Sequence, residues 1–281
     1  MTIIAETFRD LSERNEAALI AYVTAGDPSP ECTPRIADAL VEGGADIIEL
    51  GIPFSDPIAD GPTIQAATVR ALKAGTKPPL VMQIAKKIKK KHWVPIVLLT
   101  YYNIIYKSGL ENFLESAKAS GVDGIVIPDL PFEEADTYKK IADETEIDTI
   151  FLAAPSTRTE RLQRILRYTS GFLYLVSLFG VTGARRRLPD STVRLVKEFR
   201  SYTKDRIPLA AGFGISTPKQ IRKIVAAGAD GAIVGSAFVK VIEQNQRSLI
   251  KTTEKLRIIT RSLKMATLQR TKETCTEDGR A

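Results

Sequence analysis

The sequence predicts the α/β class, and within it a single-domain closed (β/α)8 barrel, the TIM barrel, over residues 1–268, with a polar tail at 269–281. Three observations carry this. Eight short apolar runs recur along the chain, each followed by a helix-length mixture of polar and apolar residues. The runs are continuous rather than alternating, as expected of strands in a parallel sheet covered on both faces. No G-x-G-x-x-G follows the first run, and eight such units in about 245 residues suit a closed barrel better than an open doubly wound sheet.

The runs, in order, are "ALIAYVT" (18–24), "DIIEL" (46–50), "PIVLLTY" (95–101), "DGIVIPD" (123–129), "DTIFLAA" (148–154), "FLYLVS" (172–177), "IPLAAGFG" (207–214) and "DGAIVGS" (230–236). Helical periodicity fills the gaps. In "KKIKKKHW" (86–93) the lysines form the wet face of a helix whose Ile84 and Ile88 lie one turn apart. Leu162, Ile165 and Leu166, and later Ile221, Ile224 and Val225, follow the i, i+3, i+4 spacing. The stretch 246–268 sets Leu249, Leu256, Ile259 and Leu263 on one face, which suits the last barrel helix. "GGADIIELG" (43–51), "SGVDGIVIPD" (120–129) and "AGADGAIVGS" (227–236) echo one another: a helix ends at glycine, a small turn follows and a strand begins.

Composition narrows the function. The chain has 281 residues, 44% of them apolar and 26% charged, the balance of a globular protein with a substantial core. Two cysteines, Cys32 and Cys275, make no disulfide framework and fit a reducing cytoplasm. The N-terminus lacks a basic start with an apolar core, so no secretory leader is expected, and no apolar run approaches the roughly 20 residues that span a bilayer. The net charge is +7, but residues 247–281 hold nine Lys/Arg against four Asp/Glu, leaving only +2 for the rest. No aromatic-and-basic surface accompanies this charge, so nucleic acid is not an expected partner.

The chemistry of a barrel gathers at the C-terminal ends of its strands, with phosphate sites after strands seven and eight. "GFG" (212–214) follows the seventh run, "GS" (235–236) the eighth and "GVTG" (180–183) the sixth. Each alone is only a tight strand-to-helix turn. At adjacent strand ends, together with a helix starting near Ser236, they favour a phosphorylated ligand. Glu49 stands near the end of the second run, where a carboxyl among Ile and Leu neighbours would have a raised pKa; it is either a proton-exchanging acid or a buried structural one. Asp60 closes a proline-stiffened loop and is either a second reacting carboxyl or the N-cap of the helix begun by "DGPT". Asp129 ends the fourth run. None of the runs carries a lysine, which leaves a Schiff-base mechanism unsupported, and the lone His92 permits neither a Ser/His triad nor a His-based metal site. Acid–base chemistry on a phosphorylated substrate with an aromatic part remains.

"ELGIPFSDPIADGPTIQ" (49–65) closely resembles the signature of the tryptophan synthase α subunit family, and "YVTAGDP" (22–28), "TYYN" (100–103), "PDLPFEE" (128–134), "SLFGVTGAR" (177–185), "GFGIS" (212–216) and "GAIVGSAFVK" (231–240) continue the resemblance. It implies a lyase that cleaves indole-3-glycerol phosphate reversibly to indole and glyceraldehyde 3-phosphate. By the same resemblance Glu49 shuttles the proton and Asp60 holds the indole N–H. Tyr174 lies beside the substrate, and Tyr22, Leu99, Tyr101, Val126, Phe213 and Ile233 line the indole pocket. Gly183, Gly212, Gly214, Gly235 and Ser236 form the phosphate cradle, and Thr182 fastens the loop Phe179–Leu188 to Asp60. Tyr22 stands where the family commonly has phenylalanine, so its hydroxyl needs a partner. Pro53 and Asp56 would face a β subunit in an α2β2 tetramer; pyridoxal phosphate (PLP) belongs to that partner, and this chain needs no cofactor or metal. The resemblance assigns no role to Arg185–Arg187 or to the tail.

Overall fold

In β1 (Ala18–Thr24) all seven residues are buried, and the two-residue period of a strand sorts them. Ala18 and Ile20 face the inner core of the barrel, while Leu19, Ala21 and Val23 face the larger core beneath the helices. Burial on both faces is the reason the runs read as continuous. These positions come from a computed structural model, which describes residues 1–176, 189–203 and 206–268. The loop Phe179–Leu188 with Thr182, Gly183 and Arg185–Arg187, and the tail from Gln269, lie outside the described residues.

The remaining strands are β2 (Ile47–Gly51), β3 (Ile96–Leu99), β4 (Gly124–Val126), β5 (Asp148–Ile150), β6 (Leu152–Ala153), β7 (Leu173–Val176), β8 (Leu209–Gly212) and β9 (Gly231–Val234). All pair in parallel, in the order β5-β4-β3-β2-β1-β9-β8-β7-β6. Every expected run yields a strand. The fifth yields two, parted by Phe151: β5 pairs with β4 and β6 with β7, so one length of chain bonds to both ends of the sheet and closes the barrel.

Among the described residues twelve α-helices surround this sheet. α1 (Ile3–Glu13) is the element the apolar runs do not foreshadow. Thr2 caps it, and Ile4, Phe8 and Leu11 enter the inner core with Ile20, Val97 and Phe172, stoppering the N-terminal end of the barrel. α2 (Cys32–Glu42) follows β1, and α3 (Pro62–Lys73) and α4 (Pro78–Lys91) follow β2. In α4 Ile84 and Ile88 are buried and the lysines project outward, as the spacing predicts. His92, just beyond, bonds Asp38 at 2.6 Å. α5 (Tyr102–Ser108) and α6 (Leu110–Ala119) precede β4; α7 (Asp136–Glu144), α8 (Thr159–Tyr168), α9 (Asp190–Thr203) and α10 (Pro218–Ala226) continue the layer. α11 (Ser236–Asn245) follows β9 directly, and α12 (Leu249–Lys264) packs behind it. The deepest seam of α12 is Thr252, Leu256, Thr260 and Leu263, with Leu249 and Ile259 only partly buried at its flanks.

The three echoed segments turn out to be one device. Gly44, Gly121 and Gly228 have φ of +101°, +81° and +101°, the region only glycine enters freely. A Cβ there would come 2.9, 2.6 and 3.0 Å from the Cγ of Lys264, Lys89 and Arg200. Each cation lays its stem over the glycine and reaches the aspartate two residues on: Lys264 to Asp46 at 2.9 Å, Lys89 to Asp123 at 2.7 Å, Arg200 to Asp230 at 2.7 Å. The same aspartates accept the backbone N–H of Leu19, Ile96 and Leu209, at 2.7, 2.8 and 2.7 Å, and so fix where β1, β3 and β8 begin.

Candidate active site

Alternation along β2 decides the site. Ile48 and Leu50 point to the helices and Ile47 into the inner core, so Glu49 points inward above Ile47, at the C-terminal end of the strand. Its register partners are Tyr22 on β1 and Val97 on β3. Glu49 is fully buried, and among the described residues neither carboxyl oxygen has a hydrogen-bond partner. A charge so placed is unsolvated and unpaired, so burial first, and then the negative charge of Asp60, push its pKa up to about 8.

Asp60 reaches the same pocket through a folded loop. Ile58 N–H donates to Asp56 and Asp60 N–H to Pro57. Tyr101, at the exit of β3, stacks against Phe54 with ring centroids 5.2 Å apart, and its hydroxyl accepts the Ala59 N–H at 3.0 Å. Burial raises Asp60 to about 6, against the opposing effect of a hydrogen bond from Tyr101. The capping alternative fails: the N-cap of α3 is Gly61, with no side-chain cap bond, so the Asp60 carboxyl is free of that duty.

A pocket opens between these acids and the ends of β8 and β9. Its lining includes Tyr22, Leu99, Val126, Tyr174 and Ile233, together with Ile64, Pro128, Leu152 and Val176. The last four escape sequence reasoning. Leu152 and Val176 sit inside apolar runs where only the strand register tells inward from outward, and Ile64 is one turn into α3. The Tyr22 hydroxyl finds its partner in Thr24 Oγ1 at 3.2 Å. Burial, then the charge of Asp60 ahead of that of Glu49, hold the Tyr22 phenol well above its ordinary pKa; burial and Glu49 do the same to Tyr174.

Two of the glycines at the mouth make room for these rings. A Cβ at Gly212 would lie 2.6 Å from Tyr174 Cε1, and one at Gly235 3.1 Å from Tyr22 Cδ1. Gly214 adopts φ +69°. Gly212, Gly214, Gly235 and Ser236 all border the pocket at its far end from Asp60's loop. There α11 begins, with Gly235 as N-cap and no acidic residue in its first turn, so its amide groups and dipole favour an anion.

Other candidates lie elsewhere. Phe213 is 5% exposed and packs in the sheet–helix core, because β8 alternates Ala210 in, Ala211 out, Gly212 in, Phe213 out. Tyr101 is buried behind Asp60's loop and holds it in place. Pro53 is covered within the chain, whereas Asp56 is exposed. Asp129 accepts the Tyr102 N–H at 2.9 Å at the start of α5. Among the described residues no group of three or more His, Cys, Asp or Glu side chains could hold a metal ion, and no helix is long and apolar enough to cross a membrane.

What the barrel and its mouth define is a class, the (β/α)8 enzymes. Comparison with known proteins narrows it. The family described as "Tryptophan synthase alpha chain" matches residues 8–268. Relatives of that name from Methanosarcina acetivorans and Methanopyrus kandleri are 49% and 45% identical, covering 94% and 93% of this chain and the same shares of theirs. Solved structures of Mycobacterium tuberculosis tryptophan synthase (34% identity, TM-score 0.85, 94% of this chain and 97% of that one) and of a mutant alpha-subunit from the hyperthermophile Pyrococcus furiosus (45%, 0.81, 89% and 98%) share the fold. The chain belongs to the tryptophan synthase alpha chain family, and so to the lyases.

Proposed function

We propose that this chain cleaves indole-3-glycerol phosphate, reversibly, into indole and glyceraldehyde 3-phosphate by a retro-aldol step. The observation that carries the reading is Glu49: a fully buried carboxyl without a hydrogen-bond partner among the described residues, at a pocket shared with Asp60. At neutral pH a group of pKa about 8 holds its proton and one of about 6 has lost it. Glu49 then gives its proton to ring carbon 3, while the Asp60 carboxylate accepts the ring N–H and offsets the positive charge growing on the nitrogen. The Glu49 carboxylate next takes the proton of the hydroxyl on the adjacent side-chain carbon. The carbon–carbon bond breaks, its electron pair neutralises the ring, an aldehyde forms, and Glu49 is again protonated.

Leu99, Val126, Ile233 and the rings of Tyr22 and Tyr174 hold the indole; Gly212, Gly214, Gly235 and Ser236 take the phosphate at the start of α11, with Thr182 and Gly183 contributing from the neighbouring loop. No cofactor or metal takes part in this chain. Residues 1–268 serve as one domain in the cytoplasm. Indole passes to a β subunit carrying pyridoxal phosphate, in an α2β2 assembly, with the exposed loop around Asp56 and Ile58 offering the contact.

The test is indole released from indole-3-glycerol phosphate by the purified chain, with and without a cognate β subunit. Release that rises with the partner is expected. A folded chain that releases none in either condition refutes the reading.

A further inference from the structure

The Tyr22 and Thr24 hydroxyls are each other's partners, and this leaves a proton over. Both residues are buried, at 6% and 1% exposure, and face inward from β1, two residues apart. Each hydroxyl has one proton to donate, but only one of the two can lie between oxygens 3.2 Å apart. Among the described residues no second acceptor meets either oxygen. Among the described residues one donor of the pair is therefore unused, in a place where unused donors are costly.

The ring has little freedom to carry that donor elsewhere. A Cβ at Gly235 would touch its root, at Cδ1, and one at Gly51 would lie 2.2 Å from its hydroxyl oxygen. Gly51 is the register partner of Thr24, so the Tyr22 ring lies across the top of β2, two residues above Glu49. Tyr22 borders the pocket and Thr24 does not.

We propose that Tyr22 is a specificity-determining residue: its hydroxyl, released from Thr24 as donor, selects bicyclic ring substrates that present a hydrogen-bond acceptor on the six-membered ring. The assignment rests on the reading of the pocket as an indole site. A plain indole ring offers that proton no lone pair. An aza-nitrogen adds an acceptor without adding bulk, so it satisfies the donor at no steric cost. Thr24 keeps its own proton for the Tyr22 oxygen in that arrangement.

Affinities of indole and the four isomers 4-, 5-, 6- and 7-azaindole, measured by calorimetry on the full chain, test this without relying on turnover. At least one isomer is expected to bind about 5–10-fold tighter relative to indole. The preference disappears in Tyr22→Phe and persists in Thr24→Val, whose Tyr22 proton is free. Equal affinities for indole and all isomers, a preference that survives Tyr22→Phe, or no binding of any ring overturns the proposal. Condensation of the same rings with glyceraldehyde 3-phosphate, read in parallel, separates the two claims. Binding preference without any condensation, with or without a cognate β subunit, refutes the lyase reading and leaves the role of Tyr22 standing.

Discussion

The hydroxyl of Tyr101 accepts the Ala59 N–H at 3.0 Å and hydrogen-bonds the carboxyl of the next residue, Asp60. One side chain at the exit of β3 thus holds the loop after β2 in place and partly offsets the burial that raises the pKa of the carboxyl it carries. Removing that hydroxyl in Tyr101→Phe withdraws a bond that favours the ionised form, so the Asp60 pKa rises above about 6. The expected result is kcat/KM lowered about 10-fold at pH 6.5, with a smaller loss at pH 7.5 where Asp60 ionises anyway. A pH-independent loss would mean that Tyr101 only packs.

The proposed mechanism needs Asp60 ionised and Glu49 protonated. Those states coexist between about 6 and about 8. The kcat/KM for cleavage is therefore expected to be bell-shaped, falling below the first value as Asp60 gains its proton and above the second as Glu49 loses its own. In Asp60→Asn the residual activity has no acid limb from residue 60, and its alkaline limb moves down, because the charge that helped raise Glu49 is gone. An alkaline limb that stays put would remove Asp60 from the electrostatics of Glu49.

The barrel was legible because its signals are local. Continuous apolar runs such as "ALIAYVT" and the glycine–aspartate turns each sit within ten residues. What the glycines at 44, 121 and 228 are for was hidden, since the stems that cover them come from Lys264, Lys89 and Arg200 on separate helices. α1 was missed for the same reason: Ile4, Phe8 and Leu11 have helical spacing, but only the closed barrel supplies the hole they fill. In the site, Glu49 was legible as an acid in an apolar strand. For Phe213 the resemblance names a residue, whereas the alternation of β8 decides which side of the sheet it faces, here the helices. Gly212 and Gly235 read as an anion cradle, and the sequence could not reveal that rings of Tyr174 and Tyr22 also require them.

Glu49 costs stability where it is ionised. Its native pKa of about 8 lies above the ordinary 4.5, so the native state binds the extra proton between those values and stability falls as pH rises from about 4.5 through about 8. Glu49→Gln keeps the shape without the charge. Denaturant unfolding is expected to give equal stabilities near pH 4, and a variant more stable at pH 9 by on the order of 4–5 kcal/mol. The same substitution abolishes cleavage. A variant no more stable than the parent at pH 9 would show that Glu49 finds a donor in solution.

Gly212→Ala drives a methyl to within 2.6 Å of Tyr174 Cε1. The ring must turn out of the pocket wall, at a cost of about 1–3 kcal/mol in stability. Substrate KM is expected to rise about 10-fold, and Tyr174→Leu in the same chain to restore stability but not the original KM. If the double variant is as unstable as the single, the clash lies with the backbone and not with the ring.

The glycine–cation–aspartate device makes a prediction far from the mouth. Lys89→Met keeps an aliphatic stem over Gly121 and removes the charge facing Asp123, whose side chain is 16% exposed, together with a 3.3 Å bond to the Val94 carbonyl. Asp123 still accepts the Ile96 N–H, so the start of β3 holds, and the loss is expected to be about 1–2 kcal/mol at pH 7. Gly121→Ala attacks the other half of the device, with a methyl at φ +81° placed 2.6 Å from Lys89 Cγ. Because that methyl displaces the stem and with it the ion pair, the two substitutions share one loss, and chemical denaturation of the double variant is expected to fall short of the sum of the singles by about 1 kcal/mol. Strict additivity would mean that the stem and the charge act separately, and that the recurrence of glycine two residues before aspartate at 44, 121 and 228 reflects the turn alone.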